Sequence, residues 1–359
     1  MNTMNKLLLV FFLIPLFGIA NPDYKKGKYE KSKTVKKEYS VNANALVKIS
    51  NKYGNLDVVT WGENRVVIEV TITVSGNSED KIESRLDKIH IQFSGSSNQV
   101  TAKTVIDKVS SGWFGSNNNM NYQIDYKVKM PVTNNVNFIN DYGTISLNEL
   151  KGKADINCDY GKVLIGSLYH EDNNINMDYT SNSVIEFINT GRVNADYSKL
   201  RIEKAKYIDL NADYTTTVIE HIEKLDFNCD YGKIEVENAN IIEGNGDYLT
   251  MRFGKIFDKL IVEADYGGIR IQKMMKDFES LKIHADYTGI KIGMEEGVSF
   301  DFIIKMSYAG FSYDEDNINY IKRIEKSTSK YFEGYVNEEN SNSKIEITSD
   351  YGSVKLYNN

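Results

Sequence analysis

Proline is almost missing from this chain of 359 residues: there are three, against 24 tyrosines. So few breakers beside so many aromatics favour extended, laddered strands over Pro-rich loops. Cysteine is equally scarce, with two, which excludes a disulfide-stapled framework and allows one bridge at most. Histidine is limited to His90, His170, His221 and His284. No Ser/His/Asp order, Cys/His pair or phosphate-cradling glycine loop can be defended, so nothing points to nucleophilic catalysis. Positive charge is in deficit, 43 Lys and Arg against 50 Asp and Glu for a net −7. That balance argues against nucleic acid or an anionic membrane surface as a partner.

One apolar run is present, at the start. Lys6 gives a minimal positive beginning, Leu7 to Phe17 an apolar stretch, and Gly18-Ile19-Ala20 a small-residue cleavage site, the pattern of a secretory signal. The run is shorter than the roughly 20 residues a membrane span needs, and no second one exists, so no integral membrane segment is expected after cleavage. Export to the periplasm, the outer-membrane surface or the medium is the expectation. Residues 21–40, rich in lysine, read as a flexible basic lead-in. Residues 41–130 read as an N-terminal β-rich region that caps the remainder of the chain. Within it Val66, Ile68, Val70, Ile72 and Val74 alternate as a half-buried strand, and Ile82, Leu86 and Ile89 share one face of a short helix. Ser110 to Asn121 is a Gly/Ser/Asn-rich loop carrying Trp113 and Phe114, either a contact site or two side chains that fold back onto the domain.

What the chain has in abundance is one repeat. Asn228-Cys229-Asp230-Tyr231-Gly232-Lys233-Ile234-Glu235-Val236 recurs in copies centred on Tyr53, Tyr142, Tyr160, Tyr179, Tyr197, Tyr214, Tyr231, Tyr248, Tyr266, Tyr287, Tyr308 and Tyr351. Four places before the tyrosine the residue is apolar in every copy but that of Gly244, and five after it all twelve are apolar or aromatic. Chance placement would give about five of twelve. Each flank therefore reads as a strand with one buried face, the inward positions running through minus four, minus two and the tyrosine and resuming at plus three and plus five. The break in step requires a bulge or corner just after the tyrosine. Asp125-Tyr126 imitates a copy, but its apolar residues Val128 and Met130 fall two and four places on, and it is excluded.

Tyrosines from 142 to 266 are 17 to 19 residues apart, and the spacing then rises to 21 twice. Two short strands and two turns fit that period, the unit of an all-β, parallel β-solenoid occupying residues 131–359 with an insertion near 314–342. Eleven or so consecutive coils at about 4.8 Å would extend some 50 Å. Cys158 and Cys229 share one inward slot several coils apart, beyond disulfide reach, so two buried free thiols are expected. The residue after the tyrosine is Gly in six copies and Thr, Ser, Leu or Ala in the rest, a demand for small size more than for positive φ.

Asp precedes the tyrosine in ten copies, and Asn stands two places before that Asp in six. Asn157, Asp159, Asn176, Asp178, Asn194, Asp196, Asn211, Asp213, Asn228, Asp230, Asn245 and Asp247 should face outward as two parallel ladders. Carboxylates about 5 Å apart repel by roughly 1 kcal/mol even in water. Backbone N–H groups at the corner and Asn amides bonding along the ladder offset this in a structural reading. Calcium bridging the carboxylates is the functional reading, although the Gly-Gly-x-Gly-x-Asp nonapeptide of calcium-binding solenoids is absent. No other cofactor is indicated. Arg201, Arg252, Arg270 and Lys291, four places after their tyrosines, read as charge compensation.

Three segments together carry a resemblance: Asn-Lys-Tyr-Gly-Asn-Leu-Asp-Val-Val-Thr-Trp at 51–61, Tyr-Lys-Val-Lys-Met-Pro at 126–131, and the Asp-Tyr-Gly copies beyond them. Over residues 40 to 359 the chain resembles the bacterial putative adhesins with β-strand repeats, of the head-domain type common in Bacteroidetes. The resemblance implies an exported, envelope-associated β-solenoid without established catalytic residues, whose partner is an envelope or extracellular protein or a glycan. A carbohydrate-active β-helix enzyme acting on polysaccharide is the alternative from another class.

Overall fold

A computed structural model describes residues 27–107, 120–313 and 317–358. The protein is all-β with mostly parallel strands and, among the described residues, one helix. It divides into two compact units, one ending at Gly161 and one beginning at Lys162.

The first unit begins with β1 (Tyr29–Ser40), β2 (Leu46–Lys52), β3 (Leu56–Trp61) and β4 (Arg65–Gly76). Alternate residues of β4 are fully buried from Val66 to Val74, as its period of two dictates. Helix α1 (Glu79–Asp87) comes next, with Glu79 and Asp80 in its first turn and Ile82 buried. After it come β5 (Ile89–Gly95), β6 (Gln99–Ile106), β7 (Asn121–Pro131), β8 (Asn135–Asp141), β9 (Thr144–Leu150) and β10 (Ala154–Asp159). The copies of Tyr53 and Tyr142 are direct neighbours although 89 residues separate their partners, since Leu46 of β2 pairs with Asn135 of β8 and Leu56 of β3 with Ile145 of β9. The Tyr160 copy continues the ladder through β10 on β8. On the other side of the Tyr53 copy lie β6 and β7, both parallel to it.

The expected flexible lead-in is a strand from Tyr29 onward. β1 pairs along its whole length, antiparallel, with β4. An unpaired β4 would present a long apolar edge, and β1 covers it with alternating half-buried residues. The lysines there have work that a flexible tail would not: Lys33 donates to the Leu86 carbonyl at the end of α1, and Lys31 pairs with Glu83 at 3.2 Å.

The second unit contains β11 (Lys162–Leu168), β12 (Asn173–Asp178), β13 (Ser183–Asp196), β14 (Lys199–Asn211), β15 (Thr216–Asn228), β16 (Lys233–Asp247), β17 (Thr250–Asp265), β18 (Gly268–Met274), β19 (Ser280–Asp286) and β20 (Gly289–Met294). Parallel pairing sets each copy against the next, residue for residue, as in Leu210 beside Phe227 and Ile219 beside Val236. A one-residue slip would turn every apolar side chain outward, so the buried face holds this register. Full burial of one such side chain contributes about 1.5–3 kcal/mol, and Phe253, Phe278, Phe300 and Phe302 are the largest here.

Chain order breaks at the end. After β21 (Phe300–Ser307) and β22 (Phe311–Tyr313), β23 (Ile318–Glu325) and β24 (Ser329–Val336) make an antiparallel hairpin. The chain then returns as β25 (Lys344–Asp350) and β26 (Val354–Asn358). β25 lies between β19 and β21, parallel to both. The Tyr351 copy is thus inserted between those of Tyr287 and Tyr308. β24 pairs antiparallel with β21 beyond it.

Candidate functional site

All twelve repeat tyrosines have left-handed backbone, with φ between 50° and 63°. A tyrosine in that region costs on the order of 1–2 kcal/mol relative to right-handed backbone, so the corner is at the tyrosine itself and not after it. The expectation of an inward tyrosine is corrected on this point. Positive φ swings the ring out of the strand's alternation, leaving it 38% to 60% exposed, and the next residue takes the inward place. Thr180, Ser198, Thr215 and Thr288 are buried there. Because positive φ belongs to the tyrosine, the residue after it is free to be β-branched.

The rings stack. In the first unit Tyr53, Tyr142 and Tyr160 succeed one another at 5.1 Å between centroids, nearly parallel at 6° and 12°. The stack ends on the edge of Tyr122, 77° to Tyr53, with the Arg85 guanidinium 5.3 Å from the Tyr122 ring. In the second unit Tyr179, Tyr197, Tyr214, Tyr231, Tyr248, Tyr266, Tyr287, Tyr351 and Tyr308 form a stack in that order, at 4.7–5.0 Å and 2–7°. Their spacing is the strand spacing, and from Tyr179 to Tyr351 each tyrosine N–H of this stack donates to a carbonyl in the neighbouring copy, as Tyr214 does to Asp230 at 2.9 Å, while the Tyr308 N–H at its end donates to the Thr328 carbonyl. Burial and the neighbouring phenols push the hydroxyls of Tyr197, Tyr231 and Tyr287 above their ordinary pKa.

Beside the rings runs the aspartate row, and each predicted member is at least partly exposed. Repulsion along it is offset from the next copy: the backbone N–H of Asp213 donates to the Asp196 carboxylate, that of Asp230 to Asp213 and that of Asp247 to Asp230, at 2.8–3.1 Å. Desolvation, then the Asp196 charge, pushes the Asp178 carboxyl up. The asparagines also face outward, half-buried at Asn157, Asn176 and Asn194 and exposed at Asn211, Asn228 and Asn245. Amide-to-amide bonds join Asn194 to Asn176 at 2.6 Å and Asn245 to Asn228 at 2.9 Å. Residues 1–20 and the Trp113–Phe114 pair lie outside the described residues.

Opposite charges pair along the other strand in the copies of Tyr197, Tyr214, Tyr231 and Tyr248. Arg201 meets Glu220, and Arg252 meets Glu235 at 3.3 Å, so these two compensate glutamates and not the aspartate row, while Arg270 stands in register between Arg252 and Lys291. A groove of about 850 Å³ opens there, where Gly254 leaves the row low, between Arg252, Arg270, Glu237 and Tyr357. Its volume is that of a small-molecule site. The Glu235 carboxylate in it is held by both Lys233 and Arg252, an ion-pair setting unlike that of a general acid. Of the histidines, His90 sits 3.9 Å from Asp107, His170 accepts the Asp172 N–H, and His221 and His284 are exposed on different strands. Among the described residues no three His, Cys, Asp or Glu side chains are grouped to hold a metal, and no helix is long and apolar enough to cross a membrane.

Cys158 and Cys229 are buried and form no disulfide. Burial pushes the Cys229 thiol up to about 12, so it is inert at neutral pH. Tyr126, of the excluded imitation copy, is fully buried, and its hydroxyl lies 2.8 Å from the Thr104 hydroxyl. Tyr122 was not legible as the end of a stack, because no repeat spacing marks it.

No protein-family model matches the chain, and no curated protein does. Solved structures do align with it. A putative adhesin from Parabacteroides distasonis is 12% identical over 91% of this chain and 97% of its own, with a TM-score of 0.37. One from Parabacteroides merdae is 11% identical over 92% and 98%, at 0.36. A putative lipid binding protein from Parabacteroides distasonis is 12% identical over 75% and 94%, at 0.32.

Proposed function

We propose that this is an exported, non-enzymatic, adhesin-like binding or scaffold protein. In this reading the parallel copies of the second unit are coils of a β-solenoid, and their repetitive Asn/Asp/Tyr surface meets an extracellular protein or a glycan. One observation carries it: all twelve left-handed corners hold tyrosine, where Gly or Asn would be conformationally cheaper. The ring must supply something that the corner does not need. Offset stacking returns about 0.5–1.5 kcal/mol per pair, enough to offset the corner strain, and what remains is an ordered line of ring edges and hydroxyls next to carboxylates. Stacked faces are not available to a sugar ring, so a ligand on this surface is recognised by hydrogen bonds at a repeat of about 4.8 Å.

The test is a glycan-array and envelope pull-down screen of the protein, repeated with Tyr197, Tyr214, Tyr231 and Tyr248 all changed to Asn, which tolerates left-handed backbone. Binding that falls more than tenfold while the circular dichroism is unchanged supports the surface. Binding equal in both proteins, or release of sugar from a captured polysaccharide, sinks it, the latter in favour of an enzyme. Calcium bridging of neighbouring carboxylates is tested in the same preparation, by comparing its melting temperature in calcium and in chelator.

A further inference from the structure

The aspartate row of the second unit ends abruptly. Next to Asp350, where the Tyr308 copy should carry the next carboxylate, stands Ser307, in register with it. Beyond Ser307 the charge reverses. A concavity of about 380 Å³ is bordered by Lys305 of β21, Lys322 and Ile324 of β23, Lys326 of the turn, and Lys330 and Tyr331 of β24, with Asp350 the one carboxylate. Among the described residues none of these four lysines has a carboxylate within ion-pair distance: Lys322 lies 5.1 Å from the Tyr331 ring, and nearby Glu325 is taken by Arg323. Four clustered ammonium groups with no carboxylate paired to them among the described residues, on a chain of net charge −7, are unfavourable without an anion, because like charges repel.

The same hairpin holds a second anomaly. Apart from the repeat tyrosines, few large apolar side chains are exposed, and three of them are consecutive or nearly so in β23: Tyr320 at 38%, Ile321 at 61% and Ile324 at 40%. Ile321 stands at the point where the register with β24 shifts, a bulge that ejects it from the ladder. Edge strands are commonly blunted by lysines and bulges. Edge protection accounts for Lys322 and the bulge; it does not account for Lys305 and Lys330 on the two inner strands, nor for bare isoleucines.

We propose that the β23–β24 hairpin docks on an anionic lipid surface, its lysines on phosphate headgroups and Ile321 and Ile324 at the boundary with the acyl chains. Basic and apolar side chains side by side are what an interfacial element requires, and attraction to anionic lipid is local, falling off within a Debye length. Net charge over the whole chain therefore does not oppose it. A soluble polyanion would match the lysines but leave the isoleucines in water, and a sugar would call for aromatic faces in their place.

The experiment is co-sedimentation of the full chain with vesicles of phosphatidylcholine alone and of phosphatidylcholine with phosphatidylglycerol. Residues 7–17 are identical in every variant, so differences report on the hairpin. The wild type is expected to sediment with the anionic vesicles and to be released by high salt. The triple variant Lys322→Glu, Lys326→Glu, Lys330→Glu should bind them more than about tenfold more weakly, and the milder Lys322→Gln, Lys326→Gln, Lys330→Gln should fall between. Ile321→Ser with Ile324→Ser should weaken vesicle binding while leaving heparin binding unmoved. The proposal is overturned if the wild type ignores anionic vesicles, if the charge variants bind them as the wild type does, or if heparin alone is bound. The last result would assign the lysines to a soluble polyanion.

Discussion

The corners of the two units solve one problem with different atoms. In the first unit glycine comes after the tyrosine in all three copies, and the inward polar group lies two residues before it. Asn140 donates to the Gly54 carbonyl and Asn51 to the Asn140 side chain, each at 3.0 Å, while the Cys158 thiol reaches the Gly143 carbonyl at 3.5 Å. In the second unit the copies of Tyr179, Tyr197 and Tyr214 have an apolar earlier position, Met177, Ala195 and Ala212, and the polar atom has crossed to the residue after the tyrosine, whereas the Tyr231 and Tyr351 copies keep Cys229 or Ser349 before it and glycine after it. Thr215 donates to Ala195 O at 2.7 Å and accepts the Ser198 N–H, and Ser198 in turn accepts the Thr180 N–H. Either side of the tyrosine can therefore supply a buried hydrogen-bonding group, and the copies of Tyr248, Tyr266 and Tyr308 carry only glycine or apolar residues in both places, Gly246 and Leu249, Ala264 and Gly267, Met306 and Ala309. That freedom explains why the residue after the tyrosine varies among Gly, Ser, Thr, Leu and Ala while the tyrosine does not.

Exchanging the two solutions is the sharpest way to break this comparison, and Gly143→Thr should have the largest effect. A Cβ at Gly143 would lie 1.9 Å from the Gly54 carbonyl oxygen, with the Asn140 amide 3.1 Å away, so the imported hydroxyl finds its place filled by backbone. A loss of about 3 kcal/mol or more is expected. Trp61 and Trp113 both precede residue 161, so urea unfolding monitored by tryptophan fluorescence reads the first unit separately. A midpoint unchanged from wild type would mean that glycine is not required there.

Removing each unit's own polar group comes next. Asn140→Leu leaves the Gly54 carbonyl without the Asn140 amide and the Asn51 amide with the Ile124 carbonyl alone, for about 2–3 kcal/mol. Thr215→Val keeps the shape and loses the hydroxyl that joins Ala195 O to the Ser198 N–H, for about 1–2 kcal/mol. If the comparison holds, fluorescence shifts for the first variant, and circular dichroism shifts with fluorescence unmoved for the second. Equal effects on both signals in both variants would show that the corners are not local to their units.

A pH titration separates buried from stacked tyrosine without a mutation. Tyr126 is raised strongly by burial in the first unit, and Tyr197, Tyr231 and Tyr287 are raised within the stack of the second. A raised folded pKa means that the neutral phenol is favoured on folding. This stabilisation is complete below the unfolded value of about 10 and is lost as pH rises through the folded one. Tyr126→Phe should therefore move the alkaline midpoint of tryptophan fluorescence upward and leave the tyrosinate absorbance of the stack in place. At neutral pH the variant should differ little, since only the bond to Thr104 is lost.

Much of this was legible because a period of two reads burial directly. Ile49, Phe138, Leu210 and Phe227 before the corner, and Val58, Leu147 and Val236 after it, are buried as the alternation requires. The outward asparagines and aspartates and the unbridged cysteines come from the same register, while the short helix is read from helical spacing, its third marker Ile89 lying in β5. Three features were not legible, each for a physical reason. The tyrosine's direction depends on one φ angle, and no propensity scale expects an aromatic residue in left-handed backbone. The strand at Tyr29–Ser40 is written in lysines whose stems, not charges, cover the β4 edge. The insertion of the Tyr351 copy between those of Tyr287 and Tyr308 is a long-range pairing, which identical repeats leave open because each copy fits any neighbour. Lys305 of β21 and the lysines of the β23–β24 hairpin lay in plain view but are scattered over 26 residues, and only strand pairing gathers them.

The smallest expected effect concerns the ring that every copy shares. Tyr231→Asn keeps the left-handed corner, since Asn visits that region readily, and removes two stacking contacts at 4.9 Å with Tyr214 and Tyr248. Stacked pairs contribute about 0.5–1.5 kcal/mol each, while relief of the corner strain returns a comparable amount, so a net loss of about 1 kcal/mol or less is expected by circular dichroism. Tyr231→Val, which also deletes the ring but cannot relax at φ of 52°, should cost clearly more. The difference between these two variants measures the corner, and the small effect of the first measures the stack. If Tyr231→Asn alone unfolded the second unit, the rings would be its structural spine, and their presence would no longer call for a surface to be presented.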